Sequence, residues 1–237
     1  GKFMAGREAD VVVLRDANTG EVTSRLVGGS GLVDCFAFSP DGKELAIGAG
    51  RTAAIWSVDS GEVLSIVDNL ASVICIAYGP NGKYVSIGLE DEGWMLWDIE
   101  AGEVTPNLGG HKKTITSLEF NPDGEVIAVA SDGSNLVDLW NASDRTEKGT
   151  FGGHSDSVWC VAVSPDGETV ASGGLDHTIR LWDLRSGKEQ GVLLSHSAAV
   201  KAVEFSLEDK CWQLDLSIRR SRSGTYPIFG WKPPSNI

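Results

Sequence analysis

The chain has 237 residues, with 33 acidic against 20 basic side chains and a formal charge of -13. That charge repels nucleic-acid phosphates and anionic lipid surfaces, and argues against both as partners. No apolar run approaches the roughly 18 residues of a membrane span, and the first residues, GKFMAGREAD, lack the apolar stretch of a signal peptide; a soluble protein of the cytoplasm is expected. The length suits a single domain, and 29 glycines, 8 tryptophans and few helix-period segments point to an all-β domain of short strands and tight turns.

In chain order, the sequence opens inside a repeating unit, because GKFMAGREADVVVLRDANTGE parallels a later GKYVSIGLEDEGWMLWDIEAGE. Four fuller copies follow: SPDGKELAIGAGRTAAIWSVDSGE, GPNGKYVSIGLEDEGWMLWDIEAGE, NPDGEVIAVASDGSNLVDLWNASD and SPDGETVASGGLDHTIRLWDLRSGKE. Their landmark aromatics, Trp56, Trp97, Trp140 and Trp182, recur at intervals of 41, 43 and 42 residues. Within a period, an alternating segment such as VWCVAVS leads to a PDG turn, then to TVASGG, TIRLWD and KEQGVLL, each joined by turn residues. Alternation with Asp-Gly, Asn-Gly and Ser-Gly punctuation predicts four antiparallel strands per period. A sheet so narrow cannot bury both faces alone, so neighbouring sheets are expected to pack face to face.

The GH pair near the start of a period, the SPDG turn and the closing WD dipeptide resemble the WD40 repeat family. The resemblance covers nearly all of residues 1–206 and implies a β-propeller of four-stranded blades. Four full copies, with the two strands at the start and the segments GVLL and VKAVEF before Ser206, add up to about five blades. They would be closed by a terminal blade shared between the two ends, or left as an open partial propeller. The resemblance further implies that Asp176, His154, Ser172 and Trp182 form a hydrogen-bonded structural tetrad, a fastening rather than a catalytic set, since a self-satisfied buried network has no open space for a substrate. Other copies depart from that pattern: His111 and His196 keep the GH place, whereas Gly29 and Asn69 fill it elsewhere, and Asp91 matches the turn Asp while Ile87 replaces the Ser. One extra residue between Ser131 and Asn135 leaves Asp132 unassigned, and a bulge is expected there.

The family resemblance implies a noncatalytic protein-protein interaction scaffold, holding other proteins or peptides as a monomer within a larger complex. The alternatives are an enzyme-type propeller with a central pocket, weakened by the lack of a nucleophile elbow such as G-x-S-x-G, and a gene fragment without independent function. Candidate contact residues follow the Val-like residue that opens each innermost strand: Asp34, Ile74, Thr116, Trp159 and Lys201. Strand alternation turns them away from their apolar neighbours, and Trp159 leads because exposed aromatics are common binding hot spots, the equal alternative being a Trp packed between blades. Cys35, Cys75 and Cys160 occupy one equivalent, small and apolar position, so free buried thiols are expected rather than disulfides or zinc. Glu90, Asp91 and Glu92 read as a solvated turn. No cofactor and no metal site is expected.

After Ser206 the repeat grammar stops, and residues 207–237 form an irregular tail. Combining the last base of each codon from Cys211 onward with the first two of the next permits LATGSFDQTIKVWDLSNI, whose Trp arises across Ser223 and Gly224. That Trp falls about 18 places after Ser206, just as Trp182 lies 18 after Ser164. A small insertion or deletion near the codons for 206–210 is therefore expected to have put the tail out of frame in a truncated repeat protein. The basic stretch RRSRS reads either as a patch for phosphate or an acidic partner or, with the shift, as carrying no function; the second reading is favoured and extends to Cys211, Trp212 and Trp231.

Overall fold

The computed structural model describes residues 2–8, 10–27, 31–108, 113–194, 197–205, 213–214 and 229–230. Gly29, His111, His196, Cys211, Trp212, Trp231 and the RRSRS stretch lie outside the described residues. Those described contain strands and no helix. Two compact units, 1–120 and 121–237, divide the chain.

In the first unit, β1 (Phe3–Glu8), β2 (Val11–Asp16) and β3 (Val22–Val27) form a three-stranded antiparallel sheet. A four-stranded sheet follows in the order β4 (Val33–Phe38), β5 (Glu44–Ala49), β6 (Thr52–Ser57) and β7 (Val63–Val67). The next is built of β8 (Val73–Tyr78), β9 (Tyr84–Leu89), β10 (Trp94–Asp98) and β11 (Glu103–Leu108), and β12 (Ile115–Phe120) ends the unit. The second unit holds β13 (Val126–Ser131), β14 (Leu136–Asn141) and β15 (Glu147–Gly152) in sequential order, then a four-stranded sheet of β16 (Val158–Val163), β17 (Thr169–Gly174), β18 (Ile179–Asp183) and β19 (Glu189–Leu193). Two two-residue strands, β20 (Gln213–Leu214) and β21 (Phe229–Gly230), pair with each other. The expected strand VKAVEF is not one: residues 201–204 carry no strand, although Val200 and Val203 are buried.

Turn chemistry explains the spacing. In each PDG or PNG turn a side-chain oxygen accepts the amide two residues on: Asp41 from Lys43 at 3.0 Å, Asn81 from Lys83 at 2.9 Å, Asp123 from Glu125 at 2.7 Å and Asp166 from Glu168 at 3.0 Å. These Asx turns reverse the chain between the first and second strands of a period. In two copies a serine joins in, Ser39 and Ser164 donating to the Asp and accepting the amides of Glu44 and Thr169.

Sheet stacking supplies the core within each unit. Val12, Leu14 and Leu26 pack with Val33, Leu45, Ile47 and Ala49, and Ala53 and Ile55 pack with Val73, Ile76, Val85 and Trp97. In the second unit Ala128, Val137, Leu139 and Phe151 meet Val158, Val161, Val170 and Trp182. One wedge recurs. A Cβ placed on Gly48 would lie 2.5 Å from Val73 Cγ1 and 2.6 Å from Cys35 Sγ, and one on Gly173 would lie 2.5 Å from Val200 Cγ1 and 2.8 Å from Cys160 Sγ. Gly88 meets Cys75 and Ile115 in the same way. The thiol of one strand and the opening aliphatic residue of the following repeat share a notch that only a glycine leaves open.

One turn departs from its siblings. The turn after the third strand ends on a left-handed glycine at Gly20, Gly61, Gly102 and Gly187, with φ between 68° and 72°, whereas the fourth copy places Arg145 there at φ 64°. A Cβ in that region costs about 1–2 kcal/mol. Arg145→Gly is therefore expected to raise stability, by about 0.5–1 kcal/mol after the larger unfolded-state entropy of glycine is set against the relief; a urea midpoint no higher than that of the parent chain would contradict the strain argument.

Candidate functional site: a buried polar quartet and the inner-strand bulges

The Gly153-His154 pair follows β15, Ser172 lies in β17, Trp182 lies in the neighbouring β18, and Asp176 sits in the turn between those two strands. The structure brings the four side chains together. Trp182 Nε1 donates to Ser172 Oγ at 2.8 Å, Ser172 Oγ lies 2.8 Å from His154 Nε2, and His154 Nδ1 lies 2.9 Å from Asp176 Oδ2. One proton assignment satisfies every group: the indole N–H donates to Ser172, the serine O–H donates to the Nε2 lone pair, and a neutral imidazole donates Nδ1–H to the carboxylate.

Sequence reasoning missed the next layer. Thr178 Oγ1 donates to Asp176 Oδ1 at 2.8 Å, and the amides of Ser155 and Thr178 donate to the same carboxylate at 3.0 Å each. Phe151 stacks on Trp182 with ring centroids 5.5 Å apart. A Cβ on Gly174 would stand 3.1 Å from His154 Nδ1 and 3.2 Å from Asp176 Oδ1, so the close approach of this strand end to the imidazole explains the Gly-Gly pair in the sequence.

Burial holds His154 below the ordinary histidine range, against the opposing pull of Asp176. Burial acts to raise the Asp176 carboxyl, but the bonds from Thr178, the Ser155 amide and His154 outweigh it and hold it down at about 2. Both side chains are nearly inaccessible, at 1% for His154 and 3% for Asp176.

The order Ser-His-Asp has the connectivity of a nucleophilic triad, yet its chemistry is closed. Ser172 is fully buried, and its oxygen already accepts the Trp182 N–H. Nucleophilic work requires substrate room beside the hydroxyl. The clefts lie elsewhere: one of about 540 Å³ is lined by Phe3, Phe38, Pro40, Lys43 and Asp59, and another of about 610 Å³ by Asp123, Lys148, Asp166 and Arg185.

Other copies lack the fastening. Ile47, Ile87 and Val129 stand in the strand register of Ser172 and are buried among apolar neighbours. Trp56 accordingly keeps a buried Nε1 with no acceptor. Asn69 is exposed at φ 61°. Asp91, also in a left-handed turn, accepts Thr114 Oγ1 at 3.1 Å. In the longer turn Asp132 accepts only its neighbour's amide, from Gly133 at 2.9 Å, while that amide also lies 2.9 Å from Ser157 Oγ.

At the proposed contact positions the ladder skips a residue between Val33 and Cys35, between Val73 and Cys75, and between Val158 and Cys160. Asp34, Ile74 and Trp159 are thus the extra residues of three equivalent β-bulges, a device that re-aims a side chain and leaves it outside regular pairing. Simple alternation had oriented them by period two. Asp34 and Lys201 are exposed, and Ile74, Thr116 and Trp159 are half-buried. The Lys201 ammonium sits 5.0 Å from the Trp159 ring centroid, a cation–π contact at the protein surface.

Cys35, Cys75 and Cys160 are free. Burial pushes the thiols of Cys35 and Cys160 up to about 12 and that of Cys75 well above its usual value. They are packing groups rather than nucleophiles.

Repeated antiparallel sheets with WD endings, one of them carrying the His-Ser-Asp-Trp fastening, define a protein of the WD-repeat class. A family model described as WD domain, G-beta repeat matches residues 20–57, 102–137 and 145–183, so the chain carries WD40 repeats in these three places. It is similar to Eukaryotic translation initiation factor 3 subunit I of Schizosaccharomyces pombe, 30% identical over 52% of this chain and 37% of that protein. It is also similar to WD repeat-containing protein slp1 of the same yeast, 30% identical over 73% of this chain and 34% of that protein, and to Autophagy-related protein 16 of Arabidopsis thaliana, 26% identical over 67% and 31%. The chain spans about a third of the length of these relatives.

Ser172→Ala removes the acceptor of one buried donor and the donor to one buried imidazole nitrogen, and is expected to cost about 2–4 kcal/mol in chemical unfolding at neutral pH; a loss below about 0.5 kcal/mol would mean the quartet contributes nothing. Because the folded-state values of His154 and Asp176 are both depressed, the unfolded chain binds more protons in acid. Stability contributed by His154 is full above its unfolded value near 6.5 and falls as pH drops below it, and the Asp176 share falls between about 4 and 2. His154→Gln should flatten the first part of that acid slope in unfolding measured from pH 8 to 5; an unchanged slope would exclude His154 as its source.

Proposed function

We propose that this chain is a noncatalytic scaffold that holds other proteins or peptides, working as a monomer within a larger complex in the cytoplasm, without nucleic-acid or membrane partners. The observation that carries this reading is the contrast between the two sets of polar and aromatic residues. The Ser172-His154-Asp176 chain is closed over by Trp182, whereas Asp34, Ile74 and Trp159 are set outside the strand ladder by bulges. Contact residues need varied chemistry at accessible positions, and the equivalent bulges carry an acid at Asp34, an aliphatic at Ile74 and an aromatic at Trp159. The name of one relative, a translation initiation factor subunit, fits a working context inside an assembly. A net charge of -13 disfavours nucleic acid and anionic lipid as partners.

In this reading His154, Ser172, Asp176 and Trp182 position the fourth full repeat, and Trp159, with Lys201 against its ring, is the leading contact residue, with Asp34, Ile74 and Thr116 as its counterparts in other repeats. Affinity capture from a cytosolic extract, with parent chain and Trp159→Ala side by side, tests it. The variant is expected to keep the parent melting curve and to lose partner recovery by about tenfold, the size of a moderate hot spot; identical recovery by the two proteins removes Trp159 from the site.

A further inference from the structure

We propose that β7, at the outer edge of its sheet, accepts an extended segment of another protein in which alternating apolar residues are bounded by Lys or Arg. This surface is separate from the inner-strand positions discussed above. β7 ends the sheet order β4-β5-β6-β7 and is bonded as a strand to β6 alone. Its sequence, VLSIV, contains no charge, proline or glycine.

Among the described residues, the last strand of each other repeat carries a charge that discourages pairing: Arg25 in β3, Glu103 in β11, Glu147 and Lys148 in β15, and Glu189 in β19. Charged side chains and prolines are the usual means by which proteins blunt an open edge. On β7 the opposite is found, with Val63 39%, Leu64 54% and Ile66 52% exposed. The bulge between Ile55 and Trp56 sets Leu64 outside the ladder and leaves Ser65, Ile66 and Val67 regularly paired. The edge therefore offers main-chain hydrogen bonds over its regular part and three apolar side chains beside them, the two elements of recognition by strand addition.

Charge decides the occupant. Asp59, Glu62 and Asp68 flank the strand and are exposed, and the sequence has no Lys or Arg between Arg51 and Lys83. A second copy is disfavoured, because antiparallel pairing of two β7 strands centred on Ser65 sets Glu62 of each against Asp68 of the other, and like charges opposed across a ladder destabilise it. A segment with basic residues at its two ends meets the same acids favourably.

The probe is a fluorescein-labelled peptide, Lys-Val-Thr-Val-Thr-Val-Lys, titrated with the full chain by fluorescence anisotropy, with Glu-Val-Thr-Val-Thr-Val-Glu as its charge-swapped control. Saturable binding is expected for the basic peptide, weakened at least about tenfold in the acidic one, with a similar loss in Ile66→Asn and a smaller, salt-sensitive loss in Glu62→Gln. Both substitutions are at exposed positions, and unchanged melting curves verify the fold. Trp159→Ala should bind the peptide as the parent does, so this surface and the inner-strand site fail or succeed separately. Equal affinity for the two peptides, unchanged binding in Ile66→Asn, or no saturable binding overturns the proposal. So does a dimer in sedimentation that Ile66→Asn dissociates, which would assign the edge to a second copy.

Discussion

A four-stranded sheet of five- and six-residue strands has two apolar faces and no thickness of its own, so it is stable only where both faces are covered. The repeat meets this constraint with the wedge at Gly48, Gly88 and Gly173. A strand glycine leaves a notch, the cysteine of the adjacent inner strand fills part of it, and the first aliphatic residue of the following repeat, Val73, Ile115 or Val200, fills the rest. The notch explains why the cysteine position tolerates only small groups, and why its thiols are held protonated by burial. Burial on this pattern stabilises by roughly 25 cal/mol per Å² of apolar surface removed from water, and no single residue carries it.

The polar quartet is an addition to that apolar frame rather than its basis. Only one described repeat has the full set, while Ile47, Ile87 and Val129 take the serine's register elsewhere and are equally buried. The trade is physical. An apolar residue gains packing but strands the indole N–H, as at Trp56, whereas the serine satisfies indole and imidazole at once and fixes the turn through Asp176. The same closure that makes the network stable deprives it of chemistry, since an oxygen already committed to Trp182 and sealed from solvent has nowhere to place a substrate.

The two proposed surfaces sit where the repeat pattern breaks, at the side chains set outside the ladder by the bulges and at the uncharged edge of β7. Breaks of local rule without a packing gain are where interaction is to be sought. Arg145, forced left-handed where its siblings are glycine, is a break of another kind, with an energetic cost of its own.

Much of this was legible in the residues themselves. The period between tryptophans and the Asx turns at Asp41, Asn81, Asp123 and Asp166 follow from local patterning, because turn chemistry and strand alternation act over a few neighbours, whereas His154, Ser172, Asp176 and Trp182 were picked out by the resemblance to the WD40 repeat. The inner-strand bulges were not legible, since a skipped ladder pair depends on the strand across from it and leaves alternation in sequence almost unchanged. Nor was the loss of strand geometry at 201–204, where apolar alternation continues but the described residues provide no regular pairing. Thr178 and the Ser155 amide joined the quartet for the same reason: only the folded turn brings them to one carboxylate. The sequence by itself determined the repeat, its turns and the chemical types gathered in each sheet. Only the tertiary structure decided which of them are sealed and which face water, because burial depends on neighbours tens of residues away along the chain.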